Sequence, residues 1–241
     1  MTTSKAIVII PTRMEGSRLP GKPMRMAGGK PLLAWTYEQA KRCKKVSKVI
    51  VTSPDKEIKQ YCKDVGIGFI SSSKEMNNGT SRCGSVIDQL NGMAHHGVVI
   101  NWQVDEPNVN PEDVDRMVES LLGVGRRLAI RTLAVETKNP IENPNVVKCI
   151  VDERFCVRWF TRQWILGSSI HIGVYGFTRE SLLSVSPLVS SFHSKLSDLE
   201  QLTWIEHGHK IGAVMVERIP LSINTIEDYD EWRKAVDSSC D

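Results

Sequence analysis

The sequence predicts an α/β fold, a Rossmann-like and mostly parallel sheet with a smaller β-rich antiparallel insertion. Three observations carry that expectation. Apolar, β-branched runs of strand length alternate with segments of helical periodicity as far as Val135. From about Asn145 the β-like runs follow each other too closely for crossover helices. The chain has 241 residues, 41% apolar and 24% charged, enough for a sizeable core in one large domain or two small ones. The same composition excludes collagen-like, disulfide-scaffold and wholly disordered classes.

Residues 6–10, Ala-Ile-Val-Ile-Ile, read as a strand buried on both faces of a parallel sheet. A helix follows. Pro31 suits a first helical position, Leu33, Tyr37 and Ala40 recur at helical spacing beside Leu32 and Trp35, and the basic stretch 41–45 marks the end. Residues 48–52 then read as a strand, 55–65 as a helix, 67–70 as a short strand and 80–90 as a helix. The alternation continues with a strand at 98–102, a helix at 111–122 and a strand at 128–135. The antiparallel additions are expected at 146–151, 156–160 and 170–177. Helical signals return at 194–206 and 226–236 around a strand at 211–216, which should rejoin the sheet. No linker, repeat or low-complexity tract interrupts the chain, so one domain over residues 1–241 is expected, its β-rich part at about 137–178.

Thirty-one Lys and Arg against 28 Asp and Glu leave a net charge of +3, which gives no reason to expect a nucleic-acid or membrane partner. The six cysteines, Cys43, Cys62, Cys83, Cys149, Cys156 and Cys240, form no C-x-x-C pair and fit reduced thiols. No run approaches the roughly 18 apolar residues of a membrane span, and the amino terminus lacks a signal peptide's length, so the expected location is the cytoplasm.

The first strand leads into a loop, residues 11–23, with two glycines and three cations at a strand's carboxyl end, where open α/β sheets bind ligands. Gly16 to Lys22 matches G-x-x-x-x-G-K, yet Pro23 stands where a P-loop needs Ser or Thr, removing both a metal-binding hydroxyl and an amide donor. Arg13 and Lys22 would instead neutralise a polyphosphate as charge moves onto a leaving group, against the plain alternative of a solvated basic loop. Residues 101–107, Asn-Trp-Gln-Val-Asp-Glu-Pro, follow a second buried strand. A carboxylate such as Asp105 opposite phosphate-binding cations suits an intervening hard cation, because Mg²⁺ takes one or two carboxylates plus substrate phosphates. The same Asp-Glu-Pro run would also build an ordinary turn ahead of a helix.

Six stretches in order, residues 10–23, 78–82, 101–107, 143–148, 171–176 and 199–202, resemble the 3-deoxy-manno-octulosonate cytidylyltransferase family. The likeness covers nearly the whole chain, and R-x-x-x-S-R-L-P-G-K-P at 13–23 is its strongest part. The resemblance implies a sugar-nucleotidyltransferase fold whose β-rich part serves dimerisation and sugar binding, so a homodimer is expected. It implies transfer of CMP from CTP to the anomeric hydroxyl of an acidic 2-keto sugar, with release of pyrophosphate. It places Arg13 and Lys22 on the phosphates, Asn78, Gly79, Thr80, Arg82 and Gln103 around the nucleotide, and Asp105 on Mg²⁺. Arg162 would lie near the sugar acid, and His171, Tyr175, Glu200 and Gln201 would line the sugar pocket. In-line attack on the α-phosphorus needs positioning, charge neutralisation and a metal rather than a covalent nucleophile.

Three departures from that family stand out. Its second metal carboxylate lies in a V-D-T-P-E-D pattern, and here Asn224 takes that place in Ile-Asn-Thr-Ile-Glu-Asp at 223–228. An amide oxygen ligates Mg²⁺ without bringing charge, and Thr225 with Asp228 also reads as a helix-starting T-x-x-D. Val104 stands where the family has glycine, and the segment 163–169 after Arg162 is short and lacks a further arginine. Two alternatives follow: the same reaction on an amino-substituted octulosonate or a nonulosonic acid, or a nucleotide-binding relative that has lost turnover. Among the remaining residues, Trp35, Trp159, Trp204 and Trp232 belong in core or interface. Arg126-Arg127 reads as a solvated pair, and His95-His96 and His207-Gly208-His209 lack the companion carboxylates of a zinc site.

Overall fold

The computed structural model describes residues 6–16, 18–76, 78–90, 97–123 and 128–238. Ser17, His95, His96, Arg126, Arg127 and Cys240 therefore lie outside the described residues. The chain runs β1 (Ala6–Pro11), β2 (Met26–Ala27), β3 (Lys30–Pro31), α1 (Leu32–Lys41), β4 (Val46–Ser53), α2 (Lys56–Asp64), β5 (Phe69–Ser71), α3 (Gly79–Val86) and β6 (Val98–Trp102). It continues with α4 (Pro111–Leu122), β7 (Ile130–Glu136), β8 (Lys148–Val151), β9 (Cys156–Thr161), β10 (Ser169–Thr178) and α5 (Arg179–Val185). The last elements are α6 (Phe192–Ser197), α7 (Glu200–Glu206), β11 (Ile211–Val216) and α8 (Ile226–Asp237).

A nine-stranded sheet has the order β5-β4-β1-β6-β10-β7-β11-β9-β8. Strands β5, β4, β1 and β6 are parallel, as are β7 and β11. Strand β10 runs antiparallel between β6 and β7, and β8 and β9 extend the far edge antiparallel. The antiparallel strands are thus part of the main sheet, and β10 crosses its centre. Along β1 the strand period of two divides the core cleanly. Ala6, Val8 and Ile10 pack into one apolar layer with α1, α2 and α4, while Ile7 and Ile9 pack into the opposite layer with α3, α5 and α7. Each of these isoleucines is at most 2% exposed, a burial that contributes about 1.5–3 kcal/mol per side chain.

Several boundaries differ from the sequence expectation. Pro31 is the residue before α1, with extended backbone (φ −72°, ψ 157°), because it also pairs with Met26 in the small β2-β3 ribbon. The expected helix over 80–90 tightens after Val86 into a 3-10 turn, Ile87–Gln89. The expected helix over 194–206 is two helices, broken at Asp198 in the left-handed region (φ 52°). The break has a tertiary cause: Arg162, from the end of β9, donates to the carbonyls of Ser197 (2.7 Å) and Asp198 (3.0 Å), satisfying the last groups of α6 from outside. Helix α5 went unpredicted, since seven serine-containing residues carry little periodic signal. Trp204 and Trp232 are core residues, and Trp35 packs edge-on to Trp232 at 6.1 Å. Among the described residues no helix is long and apolar enough to cross a membrane.

Candidate active site

The carboxyl ends of β1 and β6, the central part of β10 and the start of α7 enclose a cleft of about 620 Å³. Its first wall is the loop after β1. The loop is anchored by Met14 N–H donating to Asp55 Oδ2 (2.8 Å) and by Gly21 N–H donating to the Met14 carbonyl (2.9 Å). Gly21 has φ +67°, a conformation that an L side chain would strain. Leu19 is buried with Leu32, Ile223, Tyr229 and Trp232, so the loop is pinned through its apolar member while its cations stay at the cleft. Arg13 and Arg18 are exposed there, and Arg13 has no hydrogen bond or ion pair among the described residues. Lys22 Nζ instead pairs with Asp105 Oδ2 at 2.8 Å.

The second wall is the start of α3. Asn78 caps the helix, its Oδ1 accepting from Ser81 N–H at 2.8 Å in a reciprocal capping box. Asn78, Gly79 and Arg82 line the cleft; Thr80 does not. Thr80 is buried beneath it, accepting from Asn101 Nδ2 (3.1 Å) and donating its N–H to Glu200 Oε2 (3.3 Å), so it joins the two halves of the site from below. Arg82 is also largely engaged internally. Its guanidinium donates to Ser72 Oγ (2.7 Å) and to the carbonyls of Ser73 (3.0 Å) and Met76 (3.2 Å), bracing the loop ahead of α3.

Gln103, Asp105 and Glu106 form the third wall, and the segment before α8 is tied along it. Ile223 N–H donates to the Asp105 carbonyl (2.9 Å), and Ser222 Oγ lies 2.8 Å from both carboxyl oxygens of Glu106. These contacts bring Asn224 to the rim, where its Oδ1 makes a long contact of 3.5 Å with Arg18. The helix-start reading holds as well: Thr225 and Asp228 form a capping box for α8. Val104 is accommodated without a positive φ; its side chain is buried and its carbonyl accepts from Thr36 Oγ1 at 2.7 Å. Glu106 escaped the sequence reading. Burial, and next the neighbouring Asp105, push its carboxyl up to about 8, while Gly173 N–H donates to it at 3.0 Å. A Cβ at 173 would lie only 3.0 Å from Glu106 Oε1, so glycine is what admits this contact. The only sequence signal for Glu106 was a turn, because its burial comes from β10 and the C-terminal segment.

The fourth wall holds the residues expected around the sugar. His171 stacks on Tyr175 (5.3 Å, 26° between planes) and meets Phe160 edge-on. Burial draws its pKa down to about 3, so the ring is neutral, and Nε2 has no partner among the described residues. Gln201 Nε2 donates to the Tyr175 hydroxyl. Glu200 Oε1 and Gln201 Oε1 are buried without partners, and burial lifts the Glu200 carboxyl to about 7. Three buried polar atoms on one wall, His171 Nε2, Glu200 Oε1 and Gln201 Oε1, thus have hydrogen-bonding capacity unused among the described residues. Arg162 reaches the same wall, yet besides Ser197 and Asp198 it donates to the Pro144 carbonyl (3.1 Å), leaving two of its five N–H groups.

A hard cation at this cleft would have Asp105 as its protein carboxylate. Asp105 already holds one positive charge, the Lys22 ammonium, and no group of three or more His, Cys, Asp or Glu residues forms a closed metal cage among the described residues. That donor set suits an ion whose remaining ligands come from phosphates and water.

Residues 7–211 match the family described as cytidylyltransferase. The chain belongs to the cytidylyltransferase family. It is 34% identical to the 3-deoxy-manno-octulosonate cytidylyltransferase of Chlamydia pneumoniae, over 92% of this chain and 90% of that one. The 8-amino-3,8-dideoxy-manno-octulosonate cytidylyltransferase of a Shewanella species is 31% identical over 95% of this chain and 98% of its own. The structure of CMP:2-keto-3-deoxy-manno-octonic acid synthetase complexed with CTP superposes with a TM-score of 0.87 at 27% identity, covering 98% of this chain and 100% of that one. The expected α/β nucleotidyltransferase architecture is therefore the observed one, and this cytidylyltransferase differs in the boundaries and side-chain engagements described above.

Proposed function

We propose that this cytidylyltransferase transfers CMP from CTP to the anomeric hydroxyl of 3-deoxy-manno-octulosonate, releasing pyrophosphate and yielding an activated sugar for glycoconjugate assembly. The observation that carries this reading is that one cleft joins two chemically different halves. Arg13, Lys22 and Asp105 lie at the parallel-strand edge, and His171, Tyr175, Glu200 and Gln201 lie on the antiparallel wall.

In the proposed reaction the sugar hydroxyl gives its proton to solvent and its oxygen bonds to the α-phosphorus as the bond to the bridging oxygen breaks and pyrophosphate departs. Arg13 and Lys22 hold the triphosphate and offset charge as it moves to the leaving group. Asn78, Gly79, Arg82 and Gln103 surround the nucleotide, with Thr80 supporting them from beneath. Mg²⁺ would be held by Asp105 and Asn224 with phosphate oxygens, and when bound it supplies neutralisation of phosphate charge. Lys22, released from Asp105, is then available to the phosphates. On the acceptor side, neutral His171 and the unpartnered oxygens of Glu200 and Gln201 take sugar hydroxyls, and Arg162 faces the sugar carboxylate. A homodimer in the cytoplasm completes the reading, the association supported by Phe192 and Leu196, each 73% exposed one helical turn apart on α6.

The test is pyrophosphate release from each nucleoside triphosphate with a panel of keto sugar acids that includes the 8-amino analogue. CTP with 3-deoxy-manno-octulosonate should be the best pair. Preference for a purine nucleotide overturns the donor assignment, and preference for the amino or a nonulosonic acid moves the acceptor assignment. CTP binding without turnover on any acceptor places the chain among relatives that have lost turnover.

A further inference from the structure

The first residue of β8 is a lysine in a place where strands bury apolar side chains. Lys148 is 0% exposed, lying between Thr161 of β9 and Ile170 of β10. Its Nζ donates to the carbonyls of Asn143 (2.7 Å) and Arg162 (2.9 Å). Among the described residues no carboxylate pairs with it. Burying an ammonium without a counter-charge is costly, and proteins normally pair such a group.

The neighbouring charge has the same sign. Arg162 donates to the carbonyls of Pro144, Ser197 and Asp198, and the nearest carboxylate, Asp198 Oδ2, stands 3.6 Å away with its side chain 90% exposed, where water screens it. Burial first, and then the adjacent cation, lower the pKa of both groups; for Arg162 that cation is Arg18 and for Lys148 it is Arg162. The two cations are thus held by backbone dipoles from three segments, the 143–147 wall, the end of β9 and the α6-α7 junction. Asn143, Val147, Arg162 and Asp198 all line the cleft. A fully buried lysine behind one wall of the cleft and a half-buried arginine lining it, without an equivalent protein anion, mark where an anionic ligand group belongs.

We propose that Lys148 is the positioning residue for the acceptor's carboxylate, holding Arg162 and the 143–147 wall in place and adding a second positive charge behind them. This rests on the reading that the acceptor is a sugar acid. Lys148 acts through Arg162 and the wall rather than by touching the sugar.

Two variants test it. Lys148→Met removes the charge and the donors at nearly the same length, and Lys148→Gln keeps an N–H donor group, one atom shorter, without the charge. Both should raise the acceptor KM about tenfold while leaving the CTP KM within about twofold. Both should also shrink the preference for the free acid over its methyl ester, a ratio that a purely structural role does not move. An unchanged acid-to-ester preference, or equal losses for both substrates, overturns the proposal. If Lys148→Met does not fold, Lys148→Gln decides on the same ratio. If the wild-type chain binds CTP but turns over no keto sugar acid, the functional reading fails separately. Calorimetric affinity of 3-deoxy-manno-octulosonate for wild type and Lys148→Gln then decides, and equal affinities overturn the role of Lys148.

Discussion

In the proposed reaction the donor wall, with Arg13, Lys22 and Asp105, and the acceptor wall, with His171, Tyr175, Glu200 and Gln201, solve different problems with different parts of the fold. The donor wall consists of loops at the carboxyl ends of parallel strands, and its cations Arg13 and Arg18 are exposed while Lys22 pairs with Asp105. It is charged, accessible and ready to exchange partners. The acceptor wall is built on antiparallel β10 and the start of α7, and its polar groups are buried, aromatic-stacked and partly unsatisfied. A triphosphate brings enough charge to reorganise exposed side chains, whereas the uncharged hydroxyls of a sugar acid have to be recognised by groups already fixed in place. Burial displaces His171, Glu200 and Tyr175 toward their neutral forms.

If the walls divide the work this way, substitutions on each should fail differently. The largest effect is expected for Asp105→Asn, a loss of turnover on the order of a thousandfold, read in steady-state kinetics with Mg²⁺ varied. Turnover that survives at ordinary Mg²⁺ would remove Asp105 from the metal site. Next, Arg13→Ala and Lys22→Ala should each cost about a hundredfold in turnover, and near-normal rates in both would return the loop to the status of a solvated basic segment.

The acceptor wall predicts a stability effect instead. His171 has a pKa near 3 in the folded chain against about 6.5 unfolded, so below pH 6.5 only the unfolded chain takes up the proton and stability falls as pH falls. Denaturant unfolding at pH 5 should show about 2 kcal/mol less stability from this group than at pH 7, and His171→Phe should lack that component. Glu200, with its pKa raised to about 7, acts oppositely, losing stability as pH rises from about 4.5, which is why the comparison is made between wild type and variant.

Smaller shifts separate the walls further. Arg162→Ala should raise the acceptor KM about tenfold with less effect on CTP, and an unchanged acceptor KM would locate the carboxylate elsewhere. The smallest effect belongs to Asn224→Asp, which restores an anionic oxygen at the rim and should lower half-saturating Mg²⁺ by about a few-fold. An unmoved titration would leave Asn224 only its place before the α8 capping box.

The alternation of strands and helices is legible in local patterns of apolar periodicity and caps, and the resemblance carried by contiguous motifs named site residues that, Thr80 excepted, line the cleft. β6 and α4 fall where periodicity placed them, and Arg13, Lys22 and Asp105 face one cleft as strand ends on one sheet edge must. Tertiary structure alone decided the rest. It put β10 in the middle of the sheet, broke the expected helix at Asp198 with an arginine 36 residues away, and sank Thr80 beneath the cleft. It also buried Glu106 and Lys148, which read in the chain as a turn residue and a strand lysine. The physical reason is common to all of these. Burial and hydrogen-bond partners of a polar group are set by segments distant in sequence, and no local pattern encodes which segments those will be.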